Sequence, residues 1–194
     1  LLVIVIGLAL FAFIAGDAWK VLQPHQSQDV GEVNGETISA QDFQALVEEY
    51  TEVVKFSSGL NALSDEQTNQ IKDEVWRAYV NNKLIENEAE KLGLTVSKAE
   101  LQAIIDAGVH PMLQQTPFRN PQTGAFDKDM LKKFLVDYSK MNKAQMPAQY
   151  AEYYNSMYNF WAFVEKSLVQ ARLQEKYQAL ITKSLFSNPV EAED

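Results

Sequence analysis

Few residues in this sequence could carry acid–base or metal chemistry, and they are not grouped. Histidine occurs only as His25 and His110, and neither lies at ligand spacing from another histidine or an acidic cluster. There is no cysteine, which excludes disulfides, thiolate metal sites and cysteine nucleophiles. The glycines are scattered, and none builds a GxxxxGKS/T or GxGxxG phosphate loop. We therefore expect no metal, nucleotide or other cofactor.

Carboxylates are the remaining candidates for general acid–base catalysis. Glu48 and Glu49 are adjacent, and Glu86, Glu88 and Glu90 alternate along one segment. Catalysis by such groups needs a cleft and a shifted pKa, neither of which the sequence shows. We interpret both runs as helix faces in contact with water, so these residues predict no active site.

The overall charge limits the partners. The 194 residues include 17 Lys and Arg against 26 Asp and Glu, a net charge of -9. Binding to a phosphate backbone needs clustered Lys and Arg, and no such stretch occurs, so nucleic acid is a poor partner. Hydrophobic residues make up 46% of the chain, enough to bury one core, or one core plus an extension.

The most distinctive segment is the aromatic-rich stretch YAEYYNSMYNFWAFVEKSLVQARLQEKY, residues 150–177. On a helix, Tyr158, Phe160 and Phe163 widen its apolar stripe beyond what one packing partner needs. The stripe itself consists of Tyr150, Tyr153, Tyr154, Met157, Trp161, Val164 and Leu168. Two interpretations stay open. The rings fill the core between helices, or part of the stripe forms a groove that holds apolar segments of other chains.

The second interpretation predicts a polypeptide-binding surface. It combines part of the stripe with apolar residues of the preceding segments, and flexible Met beside flat aromatic rings tolerates many partner sequences. The candidate binding residues are Phe118, Phe126, Met130, Phe134, Tyr153, Tyr154, Met157, Trp161 and Val164. We predict no catalytic residues.

Regular start signals predict the helices that position these residues. In three places a serine precedes, by three residues, a side chain that can reach back to its amide: Ser39 with Asp42, Ser64 with Gln67, and Ser97 with Glu100. They predict helices over about 39–56, 65–92 and 98–107, the last two followed by Gly93 and Gly108.

Two further helices are expected downstream. The turn-rich loop TPFRNPQTGAFD ends at Asp127, which is placed to cap a fourth helix. Pro147 is suited to the first position of a last helix that runs to about Leu185, a length of about 55 Å. Upstream, Asn34-Gly35 predicts a tight turn between two short extended segments. The expected fold class is mainly α, with a small β-hairpin or extended clip.

The first sixteen residues, LLVIVIGLALFAFIAG, carry no charge. As a helix they would rise about 24 Å, against about 30 Å for the hydrocarbon layer, and Trp19 and Lys20 are placed as an interfacial aromatic ring and a snorkelling cation. A core helix would usually show a polar edge, and a cleaved signal peptide would usually precede an A-x-A site. We therefore predict a transmembrane anchor over residues 1–22, containing Leu1, Leu2, Val3, Ile4, Val5, Ile6, Leu8, Leu10, Phe11, Phe13, Ile14 and Trp19.

Several segments occur in a familiar order. After the apolar anchor come GEVNGETISAQDF, NKLIENEAEKLGLTVSKAEL, PFRNPQTGAFDKDMLKKFL and FWAFVEKSLVQARLQEKYQALI. Together they resemble the N-terminal region of membrane-anchored periplasmic foldases of the PpiD type. The chaperone segment of those proteins is similar to that of SurA and to the C-terminal part of trigger factor.

The resemblance implies a bacterial inner-membrane protein with one span and a periplasmic chaperone region, which meets unfolded secreted or outer-membrane polypeptides near the Sec translocon. The expected domains are the anchor (1–22), a tether (23–29), a SurA-like helical chaperone domain (30–186) and a linker (187–194). In such families a parvulin-type peptidyl-prolyl isomerase domain follows. We therefore expect that domain beyond Asp194, active or inactive, and further residues before Leu1.

An alternative function stays open. The helical body could instead dock permanently on an inner-membrane protein complex as a non-catalytic accessory subunit, with the aromatic stripe as its interface. The residues argue against an enzyme with its own site in the helical domain, since they include no catalytic constellation.

Overall fold

A computed structural model describes residues 29–142 and 145–186. In these ranges the chain forms a two-stranded antiparallel sheet followed by six helices. The elements are β1 (Asp29–Val33), β2 (Glu36–Ser39), α1 (Ala40–Ser58), α2 (Asp65–Lys91), α3 (Lys98–Ala107), α4 (Pro111–Gln114), α5 (Lys128–Lys140) and α6 (Ala148–Phe186). The prediction of a mainly helical fold with a small hairpin is confirmed for this part of the chain.

The predicted anchor (1–22) and linker (187–194), and all of the predicted tether except Asp29, lie outside the described residues. None of the helices that the structure does describe combines the length and the apolar composition needed to cross a membrane.

The hairpin turns where the sequence predicts. Asn34 and Gly35 both adopt positive φ, 51° and 84°, a conformation that asparagine and glycine tolerate better than other residues. The strands pair antiparallel, with Val33 opposite Glu36, and the side chains of Val33 and Ile38 are buried. The hairpin therefore has an apolar side that needs a packing partner.

Trp76 of α2 provides that partner. Its ring lies against Gly31 of β1 and contacts Phe43 edge-on, with ring centroids 5.8 Å apart, and Tyr79 in a stacked arrangement at 6.0 Å. Lys83 of α2 adds an ion pair to Glu36 of β2 at 3.0 Å. The hairpin is thus fixed to α1 and α2 by one aromatic cluster and one salt bridge.

The helix starts follow the capping signals. Ser64 with Gln67 and Ser97 with Glu100 form complete capping boxes, and the Ser39 side chain accepts a hydrogen bond from the Asp42 backbone N–H. The short helix α4 was not predicted. It begins with Pro111 after His110, whose Nδ1 accepts a hydrogen bond from the Met112 N–H, and its four residues are too few to show helical periodicity.

The long helix α6 contributes to the larger of two apolar clusters. It contacts α1, α2, α4 and α5. The larger cluster contains Val53, Leu101, Ile105, Leu113, Phe118, Leu131, Phe134, Leu135, Phe160, Trp161, Val164 and Leu168. The smaller cluster, formed by Val47, Ile71 and Val75, lies between α1 and α2. The core of the described residues therefore consists of a larger cluster built around α6 and a smaller one between α1 and α2.

Gly31→Ala tests how closely the hairpin packs on α2. A Cβ at this position overlaps the Trp76 ring, which Phe43 and Tyr79 hold in place, so we expect the free energy of unfolding to fall by about 1–3 kcal/mol. Chemical denaturation followed by circular dichroism measures the change.

The exposed neighbour provides the control, since Val30→Ala should change stability by less than about 0.5 kcal/mol. Adding Trp76→Phe to Gly31→Ala should recover part of the loss, because the smaller ring leaves room for the new methyl group. A Gly31→Ala protein as stable as the wild type would contradict this packing.

Candidate functional site

The structure divides the nine candidate binding residues by exposure. Four are buried in the larger cluster: Phe118, Phe134, Trp161 and Val164. Three are half-buried and pack against that cluster: Phe126, Tyr154 and Met157. Two are exposed: Met130 and Tyr153. In this conformation the nine residues do not form one continuous surface, and the first four serve the core. Their role in binding stays a prediction.

The loop after α4 explains why Phe118 is enclosed. The Asp127 N–H donates to the Phe118 carbonyl at 2.8 Å, and the Phe126 N–H donates to Gln114 Oε1 at 3.2 Å. These bonds fold the loop back on itself and direct Phe118 onto Phe134 and Trp161, with ring centroids 5.2 and 6.0 Å away. Helical periodicity cannot predict a loop that covers a helix face, so the burial of Phe118 could not be predicted from the sequence.

An exposed aromatic surface remains at the N-terminal end of α6. Tyr150 and Tyr153 are 53% and 51% exposed, and helical spacing places half-buried Tyr154 and Met157 beside them. Phe56 of α1 completes the surface, 6.1 Å from the Tyr153 ring. We call these five residues, Phe56, Tyr150, Tyr153, Tyr154 and Met157, the aromatic face. Sequence periodicity did not identify Phe56, because its contact joins residues almost a hundred positions apart.

Buried rings support the aromatic face from below. Phe56 contacts Phe160 at 5.2 Å, and Tyr154 stacks on Phe134 at 6.1 Å. Next to them Tyr138 stacks on Tyr158 at 4.3 Å and donates a hydrogen bond from its hydroxyl to Asn155 Oδ1 at 2.8 Å. Ring positions fixed in this way lose little further conformational entropy when another chain binds.

An apolar groove lies between α3, α4 and α6. It has a volume of about 350 Å³ and is lined by Glu100, Ala103, Ile104, Ala107, Val109, His110 and Arg172. Val109 is 79% exposed at its edge. Alanine and valine at these positions gave no distinctive sequence signal, so this groove was not predicted. It is a second place where an apolar side chain of another polypeptide could lie.

Glu100, which lines this groove, forms ion pairs with two cationic side chains of α6. The pKa of Glu100 is lowered to about 2, first because its carboxylate accepts a hydrogen bond from the Ser97 backbone N–H and then because Lys176 donates to it. Lys176 Nζ lies 3.1 Å from Glu100 Oε1, and Arg172 Nε lies 3.5 Å from the same atom. One carboxylate therefore caps α3 and also ties it to α6.

Glu165 has the opposite environment. Burial raises its pKa to about 7, and its Oε1 atom is buried without a hydrogen-bond partner among the described residues. It follows Trp161 by one helical turn on α6. Helical periodicity does not identify Glu165, because a charged residue within an amphipathic helix usually faces water.

No set of His, Cys, Asp or Glu side chains is arranged to hold a metal ion within residues 29–142 and 145–186. His110, one of the two histidines, acts as the helix cap of α4 through its Nδ1 atom. The geometry of this part of the chain offers apolar contact surfaces at the aromatic face and in the groove.

The family model described as the SurA-like N-terminal domain matches residues 1–135, which contain the hairpin, α1 to α4 and the first part of α5. Helix α6, which carries most of the aromatic face, lies outside the matched range. No curated protein and no solved structure matches the chain.

Glu100→Gln tests the link between α3 and α6. Because the pKa of Glu100 is lowered in the folded protein, its ionised form contributes stability above about pH 4.5, and this contribution is lost as the pH falls towards 2. We expect the variant to unfold at lower urea concentration than the wild type at pH 7, and the difference to shrink between pH 4.5 and pH 2.

Glu175→Gln is the matched control, since Glu175 contacts Arg172 only from the next turn of the same helix. A difference between wild type and Glu100→Gln that stays constant from pH 7 to pH 2 would contradict the electrostatic origin of this contribution.

Proposed function

Because the chain belongs to the family of SurA-like N-terminal domains, we propose that it is a chaperone region that holds unfolded polypeptides on the aromatic face. The family match supports a chaperone-type function, and the exposed pair Tyr150 and Tyr153 is the observation that carries the choice of surface. The exposed Tyr153 ring contacts Phe56 and Tyr154, and together these rings offer an apolar surface of the kind that marks a binding site for another polypeptide.

The aromatic face meets the physical requirements for holding unfolded polypeptides. Suppression of aggregation needs reversible contact with apolar segments of many sequences, and needs neither ATP nor covalent chemistry. Tyrosine rings provide a large contact area with few rotatable bonds, and half-buried Met157 beside them adapts to different side chains. The net charge of -9 keeps a body with such a surface soluble.

A second proposal concerns where in the cell the protein acts. We propose that residues 1–22 anchor the protein in the bacterial inner membrane by a single span, with the helical domain in the periplasm near the Sec translocon. This proposal is supported by the uncharged opening stretch and by the resemblance to PpiD-type foldases. An anchor would raise the concentration of the aromatic face where unfolded secreted and outer-membrane proteins emerge. Any isomerase activity would belong to a parvulin-type domain beyond Asp194.

The double variant Tyr150→Gln/Tyr153→Gln tests the holding function. Both side chains are more than half exposed, so the fold should persist, while the loss of two aromatic contacts should weaken binding of a polypeptide about tenfold. The dissociation constant is measured with the 194-residue chain in lipid nanodiscs and a fluorescently labelled, unfolded outer-membrane protein, and light scattering follows suppression of its aggregation.

Val109→Gln serves as the matched control, because it removes an exposed apolar side chain from the groove and leaves the aromatic face intact. A loss of binding in Val109→Gln, with normal binding in Tyr150→Gln/Tyr153→Gln, would indicate that the polypeptide binds in the groove and not on the aromatic face. Wild-type protein that does not suppress aggregation at several-fold excess, and instead copurifies at fixed stoichiometry with a membrane complex, would favour the accessory-subunit role.

Leu8→Arg/Phe11→Arg tests the anchor. A charge at the centre of a membrane helix costs about 2.5–3.5 kcal/mol on insertion scales, so we expect the variant to leave the membrane fraction while the wild type resists extraction at high pH. Gln26→Arg, in the predicted tether, should stay in the membrane and provides the control. A wild-type protein that is extracted as readily as the variant contradicts the anchor.

A further inference from the structure

Two ion pairs, each formed within a single helix, flank the aromatic face. On α1, Glu52 precedes Phe56 by one helical turn, and its Oε1 atom lies 3.0 Å from Lys55 Nζ. On α5, Lys133 Nζ lies 2.6 Å from Asp137 Oδ2. All four side chains are partly or largely exposed. Each of these charges therefore has a partner of opposite sign on its own helix, at a place that another polypeptide can reach.

The two pairs border the aromatic face on different sides. The α1 pair is next to Phe56, whose ring is 6.1 Å from that of Tyr153. The α5 pair is next to Phe134, whose ring stacks on Tyr154 at 6.1 Å. Tyr153 and Tyr154 are consecutive on α6, so they point about 100° apart around the helix. One ion pair thus lies at the α1 edge of the face and the other at its α5 edge.

The rest of the aromatic face is uncharged. The loop that follows α1 contains no charged residue before α2 begins. Glu152 is the only charged residue in the first three turns of α6, and it follows Tyr150 by two positions, which places it about 200° away on the far side of the helix. Lys132 of α5 acts electrostatically on Asp106 of α3, so it lies on another side of α5. The charges at the edges of the aromatic face therefore sum to zero.

This local neutrality contrasts with the net charge of the chain, which is -9. The field of the whole chain alone would favour basic polypeptides. At about 150 mM salt the Debye length is about 8 Å, so exposed charges further away are largely screened. Under these conditions the charges next to the bound segment decide which flanking residues are preferred.

We propose that the aromatic face binds apolar segments flanked by acidic residues as well as apolar segments flanked by basic residues, because the charges at its edges are paired within their own helices. Glu52, Lys55, Lys133 and Asp137 are the residues that determine this specificity. Removal of one partner leaves the other charge free to attract one class of segment and repel the other. The inference deepens the proposed function and rests on it.

Two fluorescently labelled peptides test the proposal. They share one short apolar centre and are flanked by lysines in one peptide and by glutamates in the other. Fluorescence anisotropy gives both dissociation constants for the 194-residue chain in nanodiscs of zwitterionic lipid at about 150 mM salt. For the wild type we expect the two constants to agree within about twofold, the low end of what exposed charge pairs contribute.

Single neutral substitutions should create a preference. Glu52→Gln frees Lys55 and Asp137→Asn frees Lys133, so each should shift the ratio of the two constants by about two- to fivefold towards the glutamate-flanked peptide. Lys55→Gln frees Glu52 and should shift the ratio by a similar factor towards the lysine-flanked peptide. Exposed ion pairs add little stability, so the variants should fold, which circular dichroism checks.

Glu88→Gln and Lys91→Gln are the matched controls. They break an exposed pair of the same kind, 2.7 Å apart, at the C-terminal end of α2, and they change the net charge by the same amount as Glu52→Gln and Lys55→Gln. Both should leave the ratio of the two constants as in the wild type. A wild type that prefers either peptide by more than about fivefold, or equal ratios in the Glu52→Gln and Glu88→Gln proteins, would overturn the proposal.

The double variant Tyr150→Gln/Tyr153→Gln separates this inference from the proposed function. If it weakens both peptides while Glu52→Gln and Lys55→Gln leave their ratio unchanged, the aromatic face binds polypeptides and only the role of the ion pairs is overturned. If it binds both peptides as the wild type does, the aromatic face is not the binding surface and the proposed function fails with it.

Discussion

The burial of Trp161, Val164 and Leu168 between α6 and the remaining helices is the interaction on which this fold depends. Each such side chain contributes about 1.5–3 kcal/mol when it is fully removed from water. The cluster they belong to also receives Val53 from α1, Leu101 from α3 and residues of α5. Elements far apart in sequence thus share a core only because α6 runs between them. The region matched by the family model relies on a helix outside that match for much of its packing.

The same stripe of α6 provides both core and surface. Its exposed fraction falls from 51% at Tyr153 to 3% at Trp161, two helical turns further on. Phe56 contacts both Tyr153 and Phe160, and so spans the boundary between the exposed and buried parts. The two interpretations of the aromatic stretch are therefore compatible: its C-terminal part fills the core, and its N-terminal part is the surface that we assign to polypeptide binding. Continuity with a packed core is what keeps an exposed aromatic surface ordered.

Features set by local chemistry could be predicted from the sequence, and features set by distant contacts could not. The turn at Asn34-Gly35 and the capping boxes at Ser64 and Ser97 depend on residues within a few positions, and the structure confirms them. Burial of Phe118 depends on a loop that closes through the Gln114 side chain, and the role of Phe56 depends on the approach of α1 to α6. The environment of Glu165 could not be anticipated, because a helical pattern does not reveal which polar position is partly buried.

The small size of the aromatic face has a consequence for how such a chaperone would work. Two exposed tyrosines and three half-buried neighbours give far less contact area than a permanent interface buries, so binding would be weak and release would need no nucleotide. Weak binding suppresses aggregation only where the surface is concentrated beside its partners. The proposed anchor would supply that concentration, since tethering two partners to one location can reach an effective millimolar range with short flexible linkers. A small surface and a membrane tether are therefore complementary parts of one holding mechanism.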